Sequence, residues 1–380
     1  MRQRIFAVLL LVLFAINGAG ALAQTPVPAV SSPSVVLLDA KSGQVLAEKS
    51  AREKRPMAST TKMMTAIVVL KRKSLQDTAI VSPEAANAGG SELALNPGEQ
   101  RTIEELLYGL MLRSANDAGI VLAEAAGEST SNFANLMNEE AKSIGARQTN
   151  FVNPHGLYDP NHFSTAYDLA LIARHGLKNP VFARLVSTKE QPISWPGSPN
   201  PVILRNRNKL LWQYPDANGV KTGHVNESGY CLVGAAKKNG VQLITVVLGA
   251  PTSKVTYEDT IKLLEYGFNN FKPQKVVEKG RVYQRVELPI VSRKKLALKA
   301  ARDLILLQGG ELKAQKKVKV RSNLSLPILK NQKLGQIVVT QGDKKLAKID
   351  LVASQHVPKP TLAQRFLIFL KTVFLDSHAG

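Results

Sequence analysis

The sequence predicts a mixed α/β fold of the α+β type: an antiparallel sheet flanked by helices, with a largely helical subregion, followed by a small β-rich domain. Three observations predict it. Strand pairs occur near both ends of residues 24–272, helical patterns fill the middle of that stretch, and short alternating runs broken by Gly and Pro follow Pro273. Hairpins combined with amphipathic helices pack into such layers.

The first half of the chain predicts two strands and then four helices. Apolar runs at 35–39 and 44–48 flank Lys41-Ser42-Gly43, which is typical of a turn between strands. Helical periodicity follows in four segments, and Gly145 suits the end of the last one. These segments are 59–70, 102–112, 117–126 and 132–144.

The second half predicts a loop, a hairpin and the small domain. Residues 149–167 are rich in Asn, Pro and Gly, and an ordered loop of this length usually shapes a site. Asn239-Gly240 is a strong hairpin signal between strands at 229–236 and 242–249, and a helix at 257–270 follows. Four short strands are expected after it, at 281–288, 316–321, 336–340 and 345–352.

Residues 1–23 have the form of a secretory signal peptide. Arg2 and Arg4 precede an apolar run, and Ala21-Leu22-Ala23 suits a cleavage site. An uncleaved N-terminal anchor is the alternative, although the run is shorter than the about 20 residues that a membrane span prefers. Export is expected in either case.

The C-terminal end predicts an amphipathic helix at a membrane surface. After Pro358-Lys359-Pro360, the stretch TLAQRFLIFLKTVFL at 361–375 places Leu362, Phe366 and Phe369 on one helical face. This stretch is too short to span a bilayer comfortably and suits the interface, here the periplasmic face of an inner membrane, where it would hold the protein peripherally. A helix docked on the protein itself is the alternative.

The formal net charge of +21 lies mostly in the C-terminal part of the chain. Residues 24–271 carry 25 Lys and Arg against 22 Asp and Glu, whereas residues 272–380 carry 23 against 7. A basic domain can bind nucleic acid or another anionic surface. We expect no nucleic acid in an exported chain without a recognisable binding motif. Anionic lipid or cell-wall polymer remains, with a merely solvated surface as the alternative.

Cysteine and histidine usage excludes a disulfide framework and predicts no metal centre. Cys231 is the only cysteine, so it has no partner within the chain. Its surroundings in GYCLVGAA favour a buried, inert thiol over a reactive one. The six histidines show neither an i, i+4 pair nor the spacing of a zinc site, so we predict no metal and no cofactor.

The stretch ASTTKMMT at 58–65 carries the first chemical signal, because Ser59 stands three residues before Lys62 at the start of an apolar run. A serine at a helix start is most often an N-cap. Residues three apart on a helix are neighbours, however, and a lysine whose pKa is lowered by burial or by another cation can act as the base for a serine. The motif alone leaves both interpretations open.

An ordered set of three motifs favours the catalytic interpretation. Ser59-Thr60-Thr61-Lys62 is followed by Ser114-Ala115-Asn116 in a turn between helices, and then by Lys221-Thr222-Gly223 before the hairpin. Single triplets are weak signals, because Ser292-Arg293-Lys294-Lys295 and Ser198-Pro199-Asn200 also match such patterns. The chance matches form no comparable ordered set.

Five longer segments add to the three motifs: RPMASTTKMMTA, LMLRSANDAG, NPHGLYDPNHFSTAYDLA, NRNKLL and GVKTGH. With these motifs and segments, nearly the whole chain resembles the low-molecular-mass penicillin-binding proteins of the D-alanyl-D-alanine carboxypeptidase family. The resemblance implies a serine peptidase domain of the β-lactamase/transpeptidase-like fold at 24–272, a β-rich domain at 273–357 and a membrane-anchoring helix at 358–380. It also implies removal of the terminal D-alanine from peptidoglycan stem pentapeptides, with β-lactam antibiotics as covalent inhibitors.

The resemblance implies a catalytic role for three side chains. Ser59 would attack the carbonyl between two D-alanines, Lys62 would take its proton, and Ser114 would relay that proton toward the leaving amine. The backbone N–H of Ser59 would form half of the oxyanion hole. His155, in contrast, is expected to be structural.

Five further residues would bind substrate. Asn116 would hold Lys62 and the substrate amide, and Lys221 would add positive charge beside the second serine. Thr222 would donate a hydrogen bond to the terminal carboxylate, and the backbone N–H of His224 would complete the oxyanion hole. Gly223 would let the substrate approach this strand closely.

Two departures from the family pattern bear on substrate and on β-lactams. Members often carry an arginine after the second hairpin strand that helps bind the substrate carboxylate, whereas this chain has only Lys254 there, close to Thr256. The long loop lacks the glutamate with which a class A β-lactamase activates water, having only Asp159 and Asp168 as acids. A muropeptide endopeptidase, a weak β-lactamase and a non-catalytic cell-wall-binding protein remain the alternatives.

Overall fold

The structure is a computed structural model that describes residues 28–288, 295–309, 314–342 and 344–366. The predicted signal peptide at 1–23 lies outside these residues. Of the predicted C-terminal helix, the structure describes only a first turn at 362–366.

Sixteen strands are defined within the described residues. They are β1 (Ser34–Asp39), β2 (Val45–Lys49), β3 (Thr78–Ile80), β4 (Gln100–Thr102), β5 (Glu190–Ile193), β6 (Val202–Arg205), β7 (Ala217–Val225), β8 (Gly229–Lys238), β9 (Val241–Ala250), β10 (Lys272–Val277), β11 (Val282–Glu287), β12 (Lys295–Ala300), β13 (Leu304–Gln308), β14 (Gln315–Val320), β15 (Lys333–Gln341) and β16 (Lys344–Ala353).

Nine α-helices are defined in the same part of the chain. They are α1 (Lys62–Arg72), α2 (Pro83–Ala86), α3 (Ile103–Tyr108), α4 (Asn116–Gly127), α5 (Thr130–Ile144), α6 (Ala166–Gly176), α7 (Pro180–Ser187), α8 (Leu210–Gln213) and α9 (Ser253–Asn270). A 3₁₀ turn (Ala58–Thr61) precedes α1, and a π-helical turn (Gly109–Arg113) follows α3.

A five-stranded antiparallel sheet in the order β2-β1-β9-β8-β7 forms the centre of the first domain. Strand β1 pairs with β9, so the beginning of the described chain lies beside a strand more than 200 residues later. All six residues of β1 are buried. A strand buried on both faces needs apolar residues at successive positions, which explains the continuous run VVLL.

The two faces of this sheet carry separate cores. Val36 and Leu38 of β1 point into a large cluster with the helical subregion, whereas Val35 and Leu37 point to the other face. Helix α9 covers that second face with Leu263, among others. Successive side chains of a strand point to opposite faces, so one apolar run serves both cores. The predicted sheet with flanking helices and a helical subregion is confirmed.

The C-terminal part forms the predicted β-rich domain. Its five-stranded sheet has the order β11-β12-β16-β15-β14, and β10 pairs with β13. Leu298, Ile337 and Leu351 belong to its buried core. Strand β14 lies at the edge of the sheet with the sequence QKKVKV, and lysines on an edge strand oppose pairing with another chain. Part of the positive charge thus protects a sheet edge.

Two predicted helices differ from the observed ones at functionally important ends. The segment 59–70 begins as the 3₁₀ turn, and α1 starts only at Lys62. The segment 102–112 is α3 followed by the π-helical turn, after which Ser114 adopts φ 64. Hydrophobic periodicity does not distinguish these tighter or wider turns from an α-helix. The short strands β3 to β6 were not anticipated, because three- and four-residue strands carry little alternation. Helices α6 and α7 were not anticipated either.

The predicted loop at 149–167 gives way to α6 at Ala166, and the loop packs against the 3₁₀ turn through Gly156. This residue has φ +89, and a Cβ placed there would lie 2.0 Å from the carbonyl oxygen of Ala58. Glycine is therefore required both for its backbone conformation and for the close approach of the two segments. The predicted loop is ordered in this manner beside Ser59.

We expect Gly156→Ala to destabilise the protein much more than Gly145→Ala. Gly145 also has a positive φ, +95, but its added Cβ would meet nothing within 4 Å. Gly145→Ala should lower the free energy of unfolding by about 1 kcal/mol through backbone strain alone. Gly156→Ala adds a backbone clash and should cost about 3 kcal/mol or more. Thermal unfolding measures the difference, and equal shifts in Tm would contradict the packing argument.

Candidate active site

Ser59 lies in the 3₁₀ turn that leads into α1. Thr60 Oγ1 donates to the carbonyl of Met57 at 2.6 Å, and Thr61 Oγ1 donates to that of Ala58 at 2.8 Å. Thr61 Oγ1 also lies 2.7 Å from His162 Nε2. Neither the 3₁₀ turn nor α1 has a side-chain cap, so Ser59 is not an N-cap. Its hydroxyl faces Lys62 instead.

Lys62 is fully buried, and its amine lies between three oxygen atoms. Nζ is 3.0 Å from Ser59 Oγ, 2.7 Å from Asn116 Oδ1 and 2.5 Å from the carbonyl oxygen of His155. Burial and the positive charges of Lys221 and Arg207 hold the pKa of Lys62 well below its ordinary value. The amine can therefore lose its proton and accept the one on Ser59 Oγ.

Ser114 and Asn116 approach the lysine from the helical subregion. Ser114 takes a left-handed conformation where the π-helical turn ends, and Asn116 begins α4. Asn116 Nδ2 donates to the carbonyl of Gly89 at 2.7 Å, which leaves Oδ1 for Lys62. Asp117 accepts the backbone N–H groups of Leu93 and Leu95, so the loop before β4 is tied to this corner.

Lys221, Thr222 and Gly223 lie on β7, the edge strand of the central sheet. Lys221 is buried, and its Nζ donates to Ser114 Oγ at 3.0 Å. Burial, with a further contribution from the charge of Arg207, lowers the pKa of Lys221 to about 7. A Cβ on Gly223 would lie 2.9 Å from the backbone nitrogen of Ser59. The edge strand therefore passes directly over the Ser59 turn.

These elements enclose a cleft of about 310 Å³. Five of the eight predicted site residues line it: Ser59, Ser114, Thr222, Gly223 and His224. The other three, Lys62, Asn116 and Lys221, lie beneath its surface and are connected by the hydrogen bonds described above. The tertiary structure thus brings all eight predicted residues together.

The cleft also contains residues to which sequence analysis assigned no role. Arg207 and Lys209 line it, and Arg207 Nη1 donates to Ser91 Oγ at 2.5 Å. Both cations belong to the segment NRNKLL, which was noted only as part of the resemblance. Two cations two residues apart beside polar Asn residues were the available signal, but the sequence does not show that they line the same cleft as Ser114.

The segment after β9, where family members often carry an arginine, contributes Thr256 and Tyr257 to the cleft instead of a cation. Lys254 is 84% exposed and pairs with Glu258 at 3.8 Å, and it does not line the cleft. Thr256 and Tyr257, two and three residues later on α9, do line it. Tyr257 Oη accepts the backbone N–H of Lys209 at 3.1 Å and so holds the segment with the two cations. Positive charge therefore reaches the cleft from a different element.

His155 and His162, on the long loop, are neutral structural groups. Burial lowers the pKa of His155 to about 3 and that of His162 to about 4, with the charge of Lys62 contributing to both. His155 acts on Lys62 through its backbone carbonyl, and its ring Nδ1 accepts the N–H of Leu157. His162 Nδ1 accepts the N–H of Val152. The loop at 149–167 is ordered by these contacts.

The two loop acids lie apart from the cleft, whereas Cys231 lines it. Asp168 accepts hydrogen bonds from Gln148 and Thr149, Asp159 accepts one from Asn161, and neither acid lines the cleft. Burial raises the pKa of the Cys231 thiol, which agrees with an inert cysteine. Among the residues that the structure describes, no group of three or more His, Cys, Asp and Glu side chains could hold a metal ion.

Comparison with known proteins agrees with this geometry. A family model described as D-alanyl-D-alanine carboxypeptidase matches residues 21–252. A second model, described as the C-terminal domain of penicillin-binding protein 5, matches residues 271–359. The first match covers the central sheet with helices α1 to α8 and ends just before α9, and the second covers the β-rich domain.

Relatives and solved structures align along most of their length. The chain is 32% identical to the D-alanyl-D-alanine carboxypeptidase DacF of Bacillus subtilis, over 90% of this chain and 89% of that one. It is 31% identical to DacA of Escherichia coli K12, over 92% and 89%. Crystal structures of penicillin binding protein 5 from Haemophilus influenzae superpose with a TM-score of 0.75 at 30% identity, over 88% of this chain and 99% of that chain. The chain therefore belongs to the D-alanyl-D-alanine carboxypeptidases, serine hydrolases of the low-molecular-mass penicillin-binding protein family.

Proposed function

We propose that the chain removes the terminal D-alanine from peptidoglycan stem pentapeptides through an acyl-enzyme on Ser59. One observation carries this proposal: a fully buried lysine amine, Lys62 Nζ, lies 3.0 Å from Ser59 Oγ. Burial and neighbouring cations favour the neutral amine, which is the form that can accept the hydroxyl proton. The non-catalytic alternative would leave this costly burial of a lysine without a reason.

Acylation uses the two serines and the two lysines in sequence. As Ser59 Oγ attacks the carbonyl carbon, its proton passes to Lys62 Nζ. The bond between that carbon and the leaving nitrogen then breaks. Ser114 Oγ donates its proton to the departing amine and takes the proton held on Lys62 Nζ in its place, so that both side chains return to their starting state. Lys221, 3.0 Å from Ser114 Oγ, stabilises this hydroxyl while the proton moves.

The backbone N–H groups of Ser59 and His224 form the proposed oxyanion hole. The close contact between Gly223 and the Ser59 turn supports this assignment, because it brings β7 and the turn to the same side of the nucleophile. As an edge strand, β7 also has backbone groups free to pair with an extended peptide.

The substrate carboxylate is assigned to Thr222 and Arg207. Thr222 and Arg207 both line the cleft, and the charge of Arg207 acts on both lysines. A guanidinium on this side compensates for the missing arginine near Thr256, because it offers the same forked donor geometry to a carboxylate.

Deacylation by water completes the reaction. Asp159 and Asp168 lie outside the cleft, so no loop carboxylate is placed to activate water as in a class A β-lactamase. We therefore expect β-lactams to acylate Ser59 and to be released slowly. This argues against an efficient β-lactamase.

The nucleophile is tested by intact mass after incubation with a penicillin. Ser59→Ala should gain no adduct, and release of D-alanine from diacetyl-Lys-D-Ala-D-Ala should fall by a factor of about 10³ or more. Ser292→Ala is the matched control, because it removes the serine of the other Ser-x-x-Lys motif, and it should acylate normally. An adduct on Ser59→Ala would refute the assignment.

The charge of Arg207 predicts a pH effect on acylation. Neutral Lys62 is the reactive form, so the rate is present above its pKa and is lost as the pH falls through it. Arg207→Gln removes one cause of the lowered pKa. The acid limb of the rate of penicillin acylation should therefore move to higher pH, whereas Arg207→Lys, which keeps the charge, should leave the limb in place. The same shift in both variants would contradict the electrostatic cause.

We further propose a peripheral location at the periplasmic face of an inner membrane. The proposed division is a signal peptide at 1–23, the peptidase domain at 24–272, the β-rich domain at 273–357 and the anchoring helix at 358–380. Support comes from the start of that helix, where Thr361 and Gln364 cap each other's backbone N–H groups at 3.0 and 3.3 Å. Leu362 and Phe366 on this turn are 83% and 62% exposed. In the described part of the chain, no helix has the length and apolar character of a membrane span.

Deletion of residues 361–380 should release the mature protein from membranes without lowering its activity on a soluble peptide. The reason is that the anchor would contribute apolar contact with lipid and nothing to the cleft. Sedimentation with membrane vesicles measures the release, and D-alanine formation provides the control. Unchanged sedimentation after the deletion would refute the anchor.

A further inference from the structure

The peptide group between Ala58 and Ser59 has its two polar atoms on opposite sides of the 3₁₀ turn. A Cβ placed on Gly223 of β7 would lie 2.9 Å from the backbone nitrogen of Ser59. A Cβ placed on Gly156 of the long loop would instead clash with the carbonyl oxygen of Ala58. A trans peptide is planar, and its C=O and N–H point in opposite directions. Contacts that fix this carbonyl on the loop side therefore also orient the N–H of Ser59 toward β7.

The backbone of Ala58 depends on such contacts. Its φ is 46, in the left-handed region, which is unfavourable for a residue with a Cβ. A residue stays in this region only where the surrounding structure holds it there. Ala58 is also buried, so its carbonyl needs a partner within the protein.

A directed series of three hydrogen bonds ends on this carbonyl. The backbone N–H of Val152 donates to Nδ1 of His162 at 3.1 Å, so this nitrogen carries no proton. A pKa of about 4 keeps the ring neutral at pH 7, and its single proton therefore lies on Nε2. Nε2 donates to Thr61 Oγ1 at 2.7 Å, and this hydroxyl donates to the Ala58 carbonyl at 2.8 Å. Each proton in the series points toward Ala58.

The long loop fixes the His162 ring in this orientation. The side chain is buried, and the ring of Phe151 meets it edge to face with the centroids 5.8 Å apart. The backbone N–H of His162 donates to the carbonyl of Asp159 at 2.9 Å. The next residue, Phe163, exchanges two backbone hydrogen bonds with Asn150. The donor on Nε2 is therefore held in place relative to the 3₁₀ turn.

We propose that His162 is a positioning residue that acts through Thr61 to orient the Ser59 N–H toward the oxyanion of the reaction. It contacts neither the substrate nor the reacting atoms. The inference rests on the proposed function, in which this N–H forms half of the oxyanion hole, and it deepens that function. A hydrogen bond weakens as its angle departs from linearity, so loss of the series weakens the donor without removing it.

The ester carbonyl of the penicillin adduct on Ser59 tests the proposal by infrared spectroscopy. This carbonyl oxygen occupies the oxyanion hole, and hydrogen bonds to it lower its stretching frequency. His162→Leu removes both ring nitrogens and should raise this frequency in the full mature chain. The rate of acylation should fall about tenfold, less than on loss of an oxyanion-hole donor, because the donor is misaligned and not absent.

A double-mutant cycle shows whether His162 acts through Thr61. Thr61→Val removes the hydroxyl at nearly constant volume and should raise the carbonyl frequency as His162→Leu does. The two substitutions together should raise it no further, because both interrupt the same series. Thr61→Ser retains the hydroxyl and His162→Gln retains an N–H donor, so each should restore most of the lower frequency.

Asn138→Ala is the matched control for the stability of the loop. Asn138 on α5 accepts the N–H of Phe151 and donates to its carbonyl, both at 2.8 Å, and it lies outside the series. Its substitution should lower Tm and leave the carbonyl frequency unchanged. A merely structural role of His162 would likewise lower Tm without moving the frequency.

Three results would overturn the proposal. They are an unchanged carbonyl frequency in His162→Leu, additive shifts in the double variant, and a shift of equal size in Asn138→Ala. All three leave acylation of Ser59, and with it the proposed function, intact. Absence of a penicillin adduct on the unaltered chain would instead refute the proposed function and this inference together.

Discussion

Burial of two lysine side chains at one point is the constraint on which the rest of the site depends. Lys62 and Lys221 are both buried, and each donates to a serine hydroxyl at 3.0 Å. Removing a cation from water is costly unless the group is hydrogen-bonded or loses its charge. The lowered pKa of each lysine is the consequence, and it suits Lys62 to be the base that we propose beside Ser59.

The surrounding fold excludes water from the amines of Lys62 and Lys221. Lys62 enters from a helix surrounded by the large core, and Lys221 enters from the edge strand of the sheet. The two segments meet because Gly223 and Gly156 lack side chains where the backbones of β7 and the long loop approach the Ser59 turn. The central sheet, the helical subregion and the long loop therefore each contribute residues around the two lysine amines.

The cleft is electropositive through Arg207 and Lys209, and none of the described residues that line it is a carboxylate. This suits substrates that end in carboxylates. Burial lowers the pKa of both lysines, and the charge of Arg207 lowers it further. In the proposed mechanism, substrate binding and activation of the base therefore depend partly on the same cation.

The sequence by itself determined the fold class, the two-part organisation of the strands and the set of eight candidate residues, because apolar periodicity and short ordered motifs are local properties of the chain. It did not determine whether Ser59 was a cap or a nucleophile, since either role suits a serine before a helix. Only the tertiary structure excluded the cap, because neither the 3₁₀ turn nor α1 has a side-chain cap, and it placed Lys62 Nζ 3.0 Å from Ser59 Oγ, the contact on which the proposed nucleophile rests. The π-helical turn before Ser114 and the approach of Arg207 were also tertiary outcomes, because both depend on contacts between segments about a hundred residues apart that no local pattern encodes.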